Sequence, residues 1–242
     1  MINKVTLQPG VVLHKRPYKE TSFLVDFFTR DFGRISVVAQ GVRRPKSPLR
    51  EIFTPFALLL ISFQGKSDLK KLYESEVKYR PHDVSKFTFS CLMYVNELII
   101  LFTHKDDPHE ELFDAYTDLC RQMENQSKQH EVEKFLRLFE LKLLQEIGYG
   151  IDLNADASNG EAIRSDCLYD FNPSVGLSIK ENTKNLEKNY FKGDDIINFS
   201  KGILFEGSVR KTAKLITRKA IDFHLDGKEI KSRTFFQTNI KQ

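Results

Sequence analysis

Pro81 divides the chain into two regimes of apolar spacing that no one kind of secondary structure satisfies. Before it, short runs of β character alternate with turn residues. Val11 to Arg16 reads as a first strand stopped by Pro17, and Phe23 to Thr29 as a second. Asp31-Phe32-Gly33 turns into a third, Arg34 to Ala39, where Ile35 and Val37 alternate with Ser36 as on a sheet with one wet face. Phe56 to Phe63 is a fourth, mostly buried strand, and the turn from Gln64 to Ser67 leads to a fifth, Leu69 to Val77. Five short strands so closely spaced predict a closed barrel of the OB type. An SH3-like barrel has similar strand statistics and stays open as the alternative at this stage.

After Pro81 the apolar residues recur at steps of three and four. Phe87, Cys91, Leu98 and Phe102 mark a first helix, and Pro108 opens a second with Leu112 and Leu119 inward. A third begins near Glu131, buries Val132, Leu136, Phe139, Leu143 and Ile147, and ends at Gly148. From Tyr149 to Lys180 the chain is irregular and polar, with a minor hairpin expected from Leu168 to Phe171 and Gly176 to Ile179. A last helix spans Val209 to His224. The expectation is an α+β chain: an OB-fold five-stranded β-barrel over residues 1–80, then a mainly α-helical domain over 81–242 with an irregular insertion at about 150–180.

Charge is distributed unevenly. Residues 1–80 hold 15 Lys/Arg against 7 Asp/Glu, residues 81–200 hold 12 against 22, and residues 201–242 hold 10 against 4. Two basic segments flanking an acidic middle suggest a polyanionic partner for the ends. Between Arg34 and Arg50 there is no acid at all, while Arg34, Arg43, Arg44, Lys46 and Arg50 accumulate. A cationic loop on a small barrel suits a phosphate backbone. With Lys15 and Arg16 of the first strand, these residues form the expected nucleic-acid-binding set. Phe32 and Tyr18 are placed to stack on bases.

Other motifs are decoys. Gly65-Lys66-Ser67 resembles the end of a phosphate-binding loop, but Leu60 stands where glycine is required and the lysine lies between strands. Asp106-Asp107 and Asp194-Asp195 are adjacent pairs that suit caps or solvated helix ends. His104 and His109 lack metal-ligand spacing. Cys91, Cys120 and Cys167 are far apart and odd in number, so no disulfide framework is expected. The absence of a leader-like apolar segment favours a reducing cytoplasm. No nucleophile constellation argues for an enzyme.

An ordered set of segments resembles the bacterial DNA-repair protein RecO family. It begins with Val12-Leu13-His14-Lys15-Arg16-Pro17-Tyr18-Lys19-Glu20-Thr21-Ser22. It continues through Phe28-Thr29-Arg30-Asp31-Phe32-Gly33-Arg34 and Val38-Ala39-Gln40-Gly41-Val42-Arg43-Arg44. Tyr94-Val95-Asn96-Glu97-Leu98, Phe139-Glu140-Leu141, Ile147-Gly148-Tyr149-Gly150 and Lys231-Ser232-Arg233 follow in order. The resemblance implies a non-enzymatic mediator of repair and recombination, nucleoid-associated in the cytoplasm. Such a mediator binds single- and double-stranded DNA and anneals complementary strands. With RecR, it helps load recombinase onto DNA coated by single-strand-binding protein.

The resemblance also implies a pocket for the acidic, phenylalanine-ending tail of that coating protein. Arg137 falls where the family's carboxylate-binding arginine aligns, with Phe139, Arg121 and Lys142 assisting. The alternative for Arg137 is pairing with Glu133 or Glu140 on its own helix surface. Many relatives carry a four-cysteine zinc module after the Gly-Tyr-Gly segment. Here Asn154 to Phe171 keeps only Cys167, which implies a zinc-free branch and no cofactor. Two other readings stay open: an OB-fold RNA-binding protein, and a nucleic-acid-modifying enzyme with an OB recruiting domain.

Overall fold

The computed structural model describes residues 4–45, 47–65, 67–126, 128–180 and 190–235; Lys46 and Lys66 lie outside them. Five strands, β1 Val5–Tyr18, β2 Ser22–Thr29, β3 Gly33–Ala39, β4 Leu58–Gln64 and β5 Leu69–Tyr79, close into a barrel in the order β1-β2-β3-β5-β4. The β3–β5 pair is parallel and the other pairs are antiparallel. This is the OB arrangement of a five-stranded Greek-key barrel, which resolves the ambiguity left by strand count.

β1 is longer than its spacing suggests. Its first half pairs with β4 and its second half with β2. Pro17 does not stop it. The pairing with β4 ends at Val11, so beyond that point β1 has an open side where a missing N–H costs nothing. The fourth strand starts at Leu58 rather than Phe56. Phe56 takes a left-handed backbone (φ 69°), and its ring packs edge-on against Phe89, 5.5 Å between centroids. Val12, Val25, Phe27, Ile35, Val37, Phe53, Leu59, Ile61 and Phe63 fill the barrel. Each such side chain contributes about 1.5–3 kcal/mol by leaving water.

Among the described residues two compact units form, residues 1–127 with 230–242, and residues 128–229. The first two helices therefore group with the barrel rather than with the later helices. α1 (Lys86–Phe102) starts at Ser85, whose side chain accepts the Thr88 N–H. His109 stands between Pro108 and α2 (Glu110–Met123), so Pro108 lies just before the helix rather than at its first position.

The bulge between Val12 and His14 takes Leu13 out of the β1–β2 ladder. The Asn96 side chain of α1 donates to the Leu13 carbonyl at 3.0 Å, and the Tyr116 hydroxyl of α2 donates to Asn96. Arg30 in the β2–β3 turn grips Asp114 through Nε (3.1 Å) and Nη2 (3.2 Å), and also reaches Glu110 at 2.8 Å. Gly33 (φ 62°) lies under the chain before α2; a Cβ there would sit 2.0 Å from the Asp107 carbonyl oxygen. Asp106 pairs with the buried Lys70 at 2.5 Å. The Asp106-Asp107 pair is thus a docking strip and not a paired-carboxylate site.

In the second unit, α3 (Gln129–Glu146) ends in a Schellman motif. The Tyr149 N–H bonds to the Leu144 carbonyl and the Gly148 N–H to that of Gln145, with Gly148 at φ 85°. The expected hairpin, β6 Leu168–Asn172 with β7 Gly176–Ile179, gains a third strand, β8 Phe191–Lys192. A short helix that the spacing did not reveal, α4 (Gly193–Ser200), carries Asp194 and Asp195 in its first turn. The buried Asp195 accepts the Thr212 hydroxyl of α5 (Gly207–His224).

Candidate nucleic-acid interface

The cationic loop is a chain of turns rather than an open coil. Arg44 N–H bonds to the Gly41 carbonyl, Ser47 N–H to that of Arg44, and Arg50 N–H to that of Ser47, leading into a 3-10 turn over Pro48–Glu51. Arg43 staples this loop to the β1–β2 hairpin. Its backbone N–H reaches the Thr21 carbonyl at 2.8 Å and its guanidinium the Lys19 carbonyl at 3.2 Å.

The strand register then gathers charge around one ring. Pro17 pairs with Phe23 and Lys15 with Val25, so Lys15 and Phe23 are diagonal neighbours on one face. The Lys15 ammonium lies 5.2 Å from the Phe23 centroid and the Arg43 guanidinium 5.9 Å from it. Partial burial, then the charges of Arg50 and Arg80, hold the Lys15 ammonium below its ordinary value. Arg80 anchors to the Glu51 carbonyl at 3.1 Å. Lys15, Arg43, Arg50 and Arg80 thus form one cluster whose mutual repulsion an anion would relieve.

Arg80 was not in the expected set. It follows the end of β5, and only barrel closure carries it to the loop. Arg16 is exposed, and strand alternation points it away from the Lys15 side; Arg44 is exposed on the loop. Arg34 does not join them. Its Nε donates to the Thr103 hydroxyl (3.0 Å) and Nη2 to the Thr103 carbonyl (2.6 Å), at the end of α1. Its burial, partly offset by Asp26, lowers its affinity for a proton. Phe32 packs edge-on against the core Phe63, 5.6 Å between centroids, and so is a packing ring. Tyr18 stays partly exposed, with Lys19 near its face.

The four residues expected to hold a peptide tail are distributed differently. Arg121 is in the first unit, and Arg137, Phe139 and Lys142 are in the second. Arg121 is exposed and reaches Asp118 at 3.4 Å. Phe139 is a core side chain rather than the wall of an open hole. Lys142 pairs with Glu146 at 2.8 Å. Arg137 pairs with Glu140 at 2.7 Å, but the pair is buried rather than on the helix surface, and Arg137 also donates to the Thr217 hydroxyl of α5. Its Nε has no hydrogen-bond partner among the described residues. Around it, burial and the neighbouring Arg218 push the Lys214 ammonium down.

A family model described as recombination protein O N terminal matches residues 1–80, and one described as recombination protein O C terminal matches residues 86–234. A DNA repair protein RecO of Actinobacillus pleuropneumoniae is 34% identical over 230 residues, covering 95% of this chain and 93% of the relative. That of Haemophilus influenzae is 36% identical over 234 residues, covering 97% of each. The chain belongs to the RecO family. A role in DNA repair and recombination comes with that membership.

Several RecO-like segments turn out to be structural joints of the first unit: Arg30 and Gly33 against α2, Asn96 against β1, and Glu97 against Lys231-Ser232. Between Asn154 and Phe171, the Arg164 guanidinium donates to Cys167 Sγ at 2.8 Å. Among the described residues no three His, Cys, Asp or Glu side chains converge as a cation site, and no helix is long and apolar enough to cross a membrane.

Proposed function

We propose that the chain is a non-enzymatic strand-annealing mediator, working on the nucleoid in the cytoplasm. It grips phosphate backbones with the barrel cluster of Lys15, Arg43, Arg44, Arg50 and Arg80, with Arg16 and Lys46 extending the charge. The carrying observation is that Lys15 and Arg43 share the Phe23 ring while the charges of Arg50 and Arg80 act on the Lys15 ammonium, with no salt bridge to Lys15 among the described residues. No chemical step is needed. Neutralising two backbones together lowers the repulsion that opposes pairing, and base pairing supplies the driving force. Acting with RecR, it delivers recombinase to DNA cleared of single-strand-binding protein.

Complementary oligonucleotides coated with that protein, mixed without nucleotide, test the reading. The chain should accelerate annealing, and Arg43→Glu with Arg44→Glu should abolish the acceleration. Equal preference for RNA would favour an RNA-binding OB protein instead.

Tail capture is proposed for the face of α3 and α5 around Arg137. The unpartnered buried Nε and the nearby Lys214 support it, because a carboxylate is bound best by a guanidinium fork. Arg137→Lys keeps a charge for Glu140 but loses the fork. It should weaken a fluorescent tail peptide while leaving annealing of naked strands intact.

A further inference from the structure

The second unit holds a cleft of about 470 Å³ that neither annealing nor tail capture uses. Its walls come from the end of α3 (Gly148 to Asp152), the β6–β7 hairpin (Phe171 to Leu177) and the end of α5 (Ala220, His224). At its rim the Tyr149 and His224 rings stack face to face, with centroids 3.9 Å apart and planes 9° apart. Phe223 meets His224 edge-on at 5.0 Å. Tyr149 and Phe223, which each meet the His224 ring, are 46% and 52% exposed, so this aromatic surface faces solvent. The Schellman turn at Gly148 throws Tyr149 out to this position. Burial keeps His224 below its ordinary value, so its ring is neutral near pH 7 and stacks without carrying charge.

We infer that this cleft receives a single unpaired base of a nucleic-acid strand, stacked on the Tyr149–His224 pair, while the strand's phosphates stay outside along α5. This second site rests on the reading of the chain as a nucleic-acid binder.

The chemistry of the cleft favours a base over a phosphate or a peptide carboxylate. The C-terminal ends of α3 and α5 both border it, and a helix C-terminus repels anions. The Asp152 carboxylate on its wall also repels anions, but it accepts hydrogen bonds from the amino groups of adenine, cytosine or guanine. Gly148 on its wall has open space where a side chain would stand, which leaves room for a flat ring to approach the backbone. Just outside, Lys219 bonds to the carbonyl of Phe171 and its ammonium lies 3.9 Å from Asp170. α5 carries Arg210, Lys211, Lys214, Arg218 and Lys219 against one acid, Asp222. Flat rings next to cations are how single strands are held without sequence readout.

The test uses the full chain and short single strands containing 2-aminopurine, whose fluorescence falls on stacking, in deoxy and ribo forms. Tyr149→Ala should weaken single-strand binding about tenfold and remove most of the quenching, since one stacked base is worth roughly 1–3 kcal/mol. Tyr149→Phe should restore both. The log–log salt slope and duplex affinity should stay unchanged, because no phosphate contact is removed. Asp152→Asn should reduce any preference for adenine- or cytosine-rich strands over thymine-rich ones. Similar losses with both sugars mean that the cleft reads the base alone; a loss confined to one sugar adds contact with the 2′ position.

Unchanged quenching and affinity in Tyr149→Ala would overturn the inference, and so would an equal loss on duplex. So would a loss confined to an acidic phenylalanine-ending peptide. If Arg43→Glu with Arg44→Glu leaves binding intact while Tyr149→Ala does not, the barrel reading fails and the cleft stands; the reverse pattern sinks only the cleft.

Discussion

The Glu97 carboxylate on α1 accepts the backbone N–H groups of Lys231 and Ser232, at 2.8 and 2.7 Å. Two segments 134 residues apart are thereby joined, and the chain leaving the second unit is pinned to the first. Because the acceptor is charged, Glu97→Ala should cost about 1–3 kcal/mol. Hydrogen exchange localises the effect: the Lys231 and Ser232 amides should lose protection while barrel amides keep theirs.

The loop cations give a second expectation. Arg43→Glu with Arg44→Glu should lower single-strand affinity by orders of magnitude. It should also flatten the log–log salt dependence by about 0.7 for each lost phosphate contact. Fluorescence anisotropy titrations across salt concentrations check this. An unchanged slope in a folded variant would mean that these charges only solvate the loop.

Arg137 and Glu140 form a buried pair, with side chains 6% and 0% exposed. Arg137→Ala takes a cation away from the buried Glu140 carboxylate and should destabilise the chain by about 3–5 kcal/mol. Replacing both residues, Arg137→Met with Glu140→Leu, should recover most of that loss. Urea unfolding of the two variants separates this structural role from any part in peptide capture.

Glu124 makes the first unit sensitive to acid. The Tyr79 hydroxyl, then the His82 backbone N–H, hold its carboxyl below the ordinary value of 4.5. A carboxyl depressed by folding contributes stability above its unfolded value and loses it as pH falls through the lower folded value. Melting temperature should therefore drop more steeply below about pH 4.5 in the natural chain than in Glu124→Gln, and the two curves should converge at lower pH. Parallel curves would show that the contact is not linked to protonation.

Gly33→Ala should fold poorly. The left-handed backbone alone costs a side chain about 1–2 kcal/mol, and the new Cβ would collide with the Asp107 carbonyl. Limited proteolysis between β5 and α2 should show the chain before α2 released from the barrel.

Strands and long helices were legible because their signal is local. Steps of three and four along α3 reflect one face turned inward and survive in the structure, whereas Ile35, Ser36 and Val37 are all buried, Ser36 donating its hydroxyl to Asp26 rather than facing water. α4 was not legible, since eight residues give too few turns for a period to emerge. Pro17 and Phe56 look like boundaries along the chain, but what they tolerate depends on a neighbouring strand and on Phe89.

Residue chemistry followed a different rule. Five strands, the long helices, the acid-free loop and the family resemblance follow from residue type and spacing along the chain, whereas the parallel β3–β5 pairing that makes the barrel an OB type comes only from its closure. Which cations remain available is settled by folding. Arg34 is spent on Thr103, 69 residues away, while Arg80 is brought to the loop and Tyr149 is laid on His224. The physical reason is that a side chain's charge and exposure are set by whatever packs against it. Those neighbours come from distant strands and helices, where linear spacing carries no signal.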